Sequence, residues 1–141
     1  MEKRTASRQP RNRRERQRGA ALVEGALTFT TFLMLLFGIM DFGRLIWARN
    51  MLGNAAREGA RFAIVRGSTS GRAATQSNIA SVVQSSAVGL SSAVSTNVTW
   101  TPGNAPGNAV TVRAQYTFTP ILPFIPYSVN LQSTSKMTIL Q

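Results

Sequence analysis

Few side chains in this chain can do chemistry, and where they stand narrows what that chemistry is. The 141 residues include no cysteine and no histidine, which removes disulfides, zinc sites of the Cys/His type and imidazole acid–base catalysis. The acids are Glu2, Glu15, Glu24, Asp41 and Glu58, and residues 67–141 contain none. That stretch therefore has no carboxylate pair, no triad base and no hard-cation site, and its serine and threonine hydroxyls have no evident activator. The expectation is a protein that is not an enzyme, with no cofactor, no metal and no small-molecule substrate. The acid in the most unusual place is Glu24, inside an apolar run and five residues after Gly19. A carboxylate within a membrane-spanning segment is disfavoured by a few kcal/mol, so this one asks for a partner or a role.

The element that carries Glu24 runs from Leu22 to Met40, 19 residues with Glu24 as its only charge. At about 1.5 Å per residue it reaches roughly 28 Å, close to the ~30 Å hydrocarbon thickness of a bilayer. Leu27, Phe29, Phe32, Leu33, Leu35, Leu36, Phe37, Ile39 and Met40 fall on every side of such a helix. A core helix of a soluble domain would show a polar stripe, so a transmembrane helix is expected.

Charge orients it. Residues 1–18 hold eight basic and two acidic side chains, a formal +6, which by the positive-inside rule keeps the tail cytoplasmic and exports the C-terminal part. A cleavable secretory signal has a shorter apolar core and a small-x-small site after it, and neither occurs here. The Arg13-Arg14 pair is followed by Glu15-Arg16-Gln17 rather than by apolar residues, which argues against a twin-arginine signal.

The helical pattern continues past the span, without proline, to about Val65, predicting one helix of about 45 residues from Ala20. Asp41 can meet Arg44, and Glu58 can meet Arg61, at i,i+3 spacing. Small residues recur every four positions at Ala55, Gly59 and Ala63, and again at Ala56 and Ala60. This smooth side suits close approach of another helix, and it equally suits packing on the chain's own domain. Gly67-Ser68-Thr69-Ser70-Gly71 reads as a flexible turn that ends the helix.

Beyond the turn, Ile79, Val83, Ala87, Leu90 and Val94 recur at helical spacing and predict a second, short amphipathic helix. The period then becomes two. Val98 and Trp100 mark one strand, Pro102 to Asn108 a loop, and Val110, Val112, Ala114, Tyr116 and Phe118 the apolar face of a second strand. Pro120, Pro123 and Pro126 forbid regular pairing through the next bend, after which Val129, Leu131, Met137 and Ile139 give a third strand. Ser133 and Ser135 occupy its inward register, so a bulge or break is expected there. The fold class is α+β: a long N-terminal transmembrane and amphipathic helix, a second short helix and a small three-stranded antiparallel sheet. The divisions are 1–19, a cytoplasmic basic leader; 20–43, the transmembrane helix; 44–66, its exported continuation; and 67–141, an exported α+β domain. So thin a core calls for support from the long helix or from a partner subunit.

Gly19-Ala20-Ala21-Leu22-Val23-Glu24, the run Phe37-Gly38-Ile39-Met40-Asp41-Phe42-Gly43-Arg44, and Asn54-Ala55-Ala56-Arg57-Glu58-Gly59-Ala60-Arg61 together resemble the TadE-like family of pilus-assembly pseudopilins. The resemblance extends from Arg18 through the Pro120-Ile121-Leu122-Pro123 bend to the closing strand, with Gly25 standing where such chains often carry an apolar or aromatic residue. It implies a pilin-like fold and a minor pilin of a tight-adherence (Tad/Flp) system in the bacterial inner membrane, single-pass, possessing a cytoplasmic N-terminus and an exported C-terminus. It also implies cleavage by a prepilin peptidase between Gly19 and Ala20, with other pilins or pseudopilins as partners. Glycine leaves the backbone open to a protease. Cleavage creates an amine at Ala20, and Glu24 can then pair with that amine on a neighbouring subunit, offsetting its burial cost. The plainer reading of Glu24 is a carboxylate snorkelling at the cytoplasmic headgroups.

Two other functions are kept in view. One is a single-pass anchor for an extracellular binding domain; the other is a membrane-tethered nucleic-acid binder using the net charge of +11. The basic tail is already explained by topology and carries no interleaved aromatics, so no specific nucleic acid is expected. A mature N-terminus at Ala20 separates the pseudopilin reading from both.

Overall fold

The computed structural model describes residues 11–90, 93–121 and 127–140, with side chains described from Arg18 onward. Its elements are α1 (Arg11–Ile64), α2 (Gln76–Ser86), β1 (Val94–Thr101), β2 (Ala109–Phe118) and β3 (Val129–Thr138). This is the expected α+β fold with a long apolar N-terminal helix. The chain divides into two compact units, Met1–Ile39 and Met40–Gln141, so α1 contributes to both.

In the first unit the described part is helix throughout. Its apolar side chains are exposed, among them Leu22, Leu27, Phe29, Leu35 and Ile39. The helix is long and apolar enough to cross a membrane, and none of its most apolar window is buried against protein. The hydroxyls of Thr30 and Thr31 donate to the carbonyls of Ala26 and Leu27 at 2.8 and 2.9 Å. Bonding back to i−4 satisfies both without water, which lets threonine sit in an apolar helix. Among the described residues the helix already runs from Arg11, ahead of Ala20. Arginine, glutamine and glutamate are good helix formers, and a single interior glycine costs only about 1 kcal/mol relative to alanine, too little to stop a helix at Gly19.

In the second unit α1 lies on a three-stranded meander of order β1-β2-β3, antiparallel throughout. One face of the helix, Ala48, Leu52, Ala55, Ala56, Gly59, Ala60 and Ala63, is buried. It meets Val110, Val112 and Ala114 of β2, Val98 of β1, and Ile79 and Val83 of α2 in one core. Thr75 caps α2 by accepting the Asn78 N–H at 3.3 Å. That helix stops at Ser86, because Gly89 turns the chain with φ +81° and sends Val94 into β1. The 67–71 turn is tied in place: Ser68 N–H donates to the Asn104 carbonyl at 2.8 Å, and Ala74 N–H to that of Arg66 at 2.7 Å. Leu140 N–H donates to the Ile64 carbonyl at 2.9 Å, closing the end of α1 against the last residues of the chain.

The expected bulge in β3 is absent. Its register with β2 is unbroken from Ala109↔Thr138 to Phe118↔Val129. Ser135 is buried, and Ser133 Oγ lies 3.8 Å from where a Cβ on Gly53 would stand. Small residues on strand and helix face one another, so the inward serines allow close approach without interrupting the ladder. Pro120 stands at the start of the bend after β2, whereas Pro123 and Pro126 lie outside the described residues.

Candidate functional site

The residues singled out from sequence fall in two places. Gly19, Ala20 and Glu24 are in the first unit, on an exposed helix. A Cβ built on Gly19 meets nothing within 4 Å, and the same holds for Gly25 and Gly38. Glu24 stands on the same side of α1 as Thr28 and Phe32, at i+4 and i+8, and it forms no ion pair within 4 Å among the described residues. This surface offers backbone free of side-chain cover at Gly19, one carboxylate and a continuous apolar wall. It holds no arrangement for bond-making chemistry.

Ala55, Gly59 and Ala63 lie in the second unit, and the structure turns them toward the chain's own domain. All three are buried. A Cβ on Gly59 would stand 2.5 Å from Val83 Cγ2 and 3.4 Å from both Ile79 Cγ2 and Val112 Cγ1. Of the two readings of the small-residue stripe, packing on the chain's own domain is the one seen: the helix that approaches closely is α2.

Where α1 enters the second unit, Asp41 is buried, 8% exposed, and makes the contact that ties the helix to the far end of β2. Its carboxylate accepts the Ile121 N–H through both oxygens, at 3.1 and 2.9 Å. Arg44 Nη1 donates to the same carboxylate at 2.7 Å, the i,i+3 pair expected from sequence. The Arg44 guanidinium also lies over the Phe118 ring, 5.2 Å from its centroid. A buried carboxylate that is both ion-paired and hydrogen-bonded has its desolvation compensated. Pro120 has no N–H to give and ends the ladder of β2, and Ile121 N–H is the donor that reaches Asp41; no residue type in the sequence signals this latch. Glu58 and Arg61 form no ion pair within 4 Å, although their spacing allows one.

Comparison with known families finds a match that runs along α1 through both units. The family model described as "TadE-like protein" matches residues 19–61, starting at Gly19 and ending at Arg61 in the last turn of α1. The match covers 43 of the 141 residues and identifies the resemblance read from the sequence over α1; the sheet lies outside it. No curated protein and no solved structure gives a significant match. The family match and the exposed apolar helix fit a membrane-anchored, pilin-like protein associated with Tad pili.

Proposed function

We propose that this protein is a pseudopilin, or minor pilin, that takes part in assembling a Tad/Flp-type pilus after a prepilin peptidase cuts between Gly19 and Ala20. The observation that carries the reading is the coincidence at Gly19: the family match begins there, a +6 leader ends there, and an exposed apolar helix with an acid five residues on follows. The protein is not an enzyme. It sits in the bacterial inner membrane by one span, with residues 1–18 in the cytoplasm and the helix–sheet unit exported.

Its partners are the peptidase and other pilins or pseudopilins. Gly19 lowers the cost of unwinding α1 at the scissile bond, since glycine is the poorest helix former after proline. Glu24 then joins the new Ala20 amine of a neighbouring subunit, and the apolar wall exchanges lipid for the helices of other pilins.

Glu24 tests this without disturbing anchorage. Glu24→Val makes insertion easier by a few kcal/mol at most, because the span loses its internal acid. The variant is expected to be cut and retained in the membrane, yet to crosslink less to other pilins and to support fewer surface pili. Unchanged crosslinking and piliation would leave Glu24 as an interfacial carboxylate and remove the proposed pairing.

A further inference from the structure

The sheet order leaves β3 at an edge. Its backbone pairs with β2 on one side and, among the described residues, with no strand on the other. An edge strand presents a row of N–H and C=O groups that another extended chain can complete. Beside it runs a groove of about 590 Å³, lined by Arg49, Gly53, Asn54 and Arg57 of α1 and by Gln132 and Thr134 of β3. Gly53 opens this groove by carrying no side chain of its own: Ser133 Oγ and Arg57 Nη2 lie 3.8 and 4.0 Å from where its Cβ would stand. Arg49 and Arg57 flank that gap at i−4 and i+4, both exposed, and Arg57 Nη2 is aimed by a 2.6 Å bond to Asn54 Oδ1.

Neither arginine of this groove forms an ion pair within 4 Å among the described residues. The acids from Met40 onward are Asp41, engaged by Arg44 and Ile121, and Glu58, against eight basic residues. A strand from a second copy would bring no carboxylate, because residues 67–141 have none.

We propose that the β3 edge and the Arg49/Arg57 row form a docking site for an extended acidic segment of a different exported protein. The segment adds to the sheet as a fourth strand beside β3. Main-chain hydrogen bonds along β3 hold it, and its carboxylates on the two guanidiniums select it. The site lies wholly within the second unit and does not depend on cleavage at Gly19.

The full chain in phosphatidylcholine nanodiscs provides the test, with a seven-residue peptide alternating glutamate and valine as probe and its lysine counterpart as control. The glutamate peptide is expected to bind and to slow amide exchange across 129–138, while the lysine peptide does neither. Arg49→Gln with Arg57→Gln is expected to weaken binding about tenfold, a difference of roughly 1.4 kcal/mol. Arg61→Gln with Arg72→Gln, which removes the same charge outside the groove, should leave binding unchanged. Equal binding of both peptides, equal weakening by both double variants, or unprotected β3 amides would each overturn the site. Displacement of the peptide by phosphatidylglycerol nanodiscs would overturn it as well, assigning the cationic face to an anionic membrane instead.

Discussion

The two parts of α1 are made from one continuous helix and solve opposite problems. From Gly19 to Ile39 the side chains are large, apolar and exposed, while from Ala48 to Ala63 the inward ones are small and buried. Size explains the difference. A membrane fills itself around any apolar outline, so the first stretch can carry leucine and phenylalanine on all sides. A thin sheet with one short helix has no such tolerance: the fully buried residues of α1 there are alanine, glycine and a single central Leu52, with Leu45, Met51, Phe62 and Ile64 only partly buried at the margins. The second unit completes its own core, and the first is left open to lipid and to other helices.

Glycines break the comparison most sharply, because the same residue type should give opposite results in the two parts. Gly59→Leu must displace Val83, Ile79 and Val112 at once, and is expected to cost at least about 3 kcal/mol and to leave the helix–sheet unit unfolded or molten. Gly38→Leu meets nothing and should leave that unit's unfolding unchanged. Near-ultraviolet circular dichroism of the full chain in nanodiscs during urea titration checks both. Equal behaviour would mean that the stripe is not packed on the chain's own domain.

Leucines sharpen it next. Leu52, fully buried, should cost about 3 kcal/mol as Leu52→Ala, whereas Leu35→Ala, at a residue 61% exposed, should stay within about 0.5 kcal/mol for the second unit in the same titration. Asp41→Ala has a smaller effect, about 2 kcal/mol, because it strands the Ile121 N–H and the Arg44 guanidinium near the entry of the unit. Amide exchange at Ile121 should rise in that variant, while the protection of Val110 and Val112 falls less.

How much of this was legible in the sequence depended on whether a residue's own pattern decided its place. The alternation from Val110 to Phe118 gave β2 its buried face without ambiguity. Val94 fits both a helical period from Ile79 and an alternating one toward Val98, and the glycine turn at Gly89 settled which. A stripe such as Ala55-Gly59-Ala63 says that something comes close, not what; the volumes of Ile79, Val83 and Val112 decide that, and they lie outside the helix. The bond from Ile121 to Asp41 spans 80 positions and uses a backbone N–H, which leaves no mark in residue type. Gly19 and Glu24 stand out in the sequence because a charge boundary and an apolar run isolate them, and their proposed roles rest on that pattern.

That boundary also carries the central claim, and the mature N-terminus tests it most directly. Intact-mass measurement after co-expression with the cognate prepilin peptidase should show the chain shortened from 141 to 122 residues, beginning at Ala20, and Gly19→Leu should keep it at full length. A wild-type protein that retains Met1, or a Gly19→Leu variant cut like the wild type, would contradict the account.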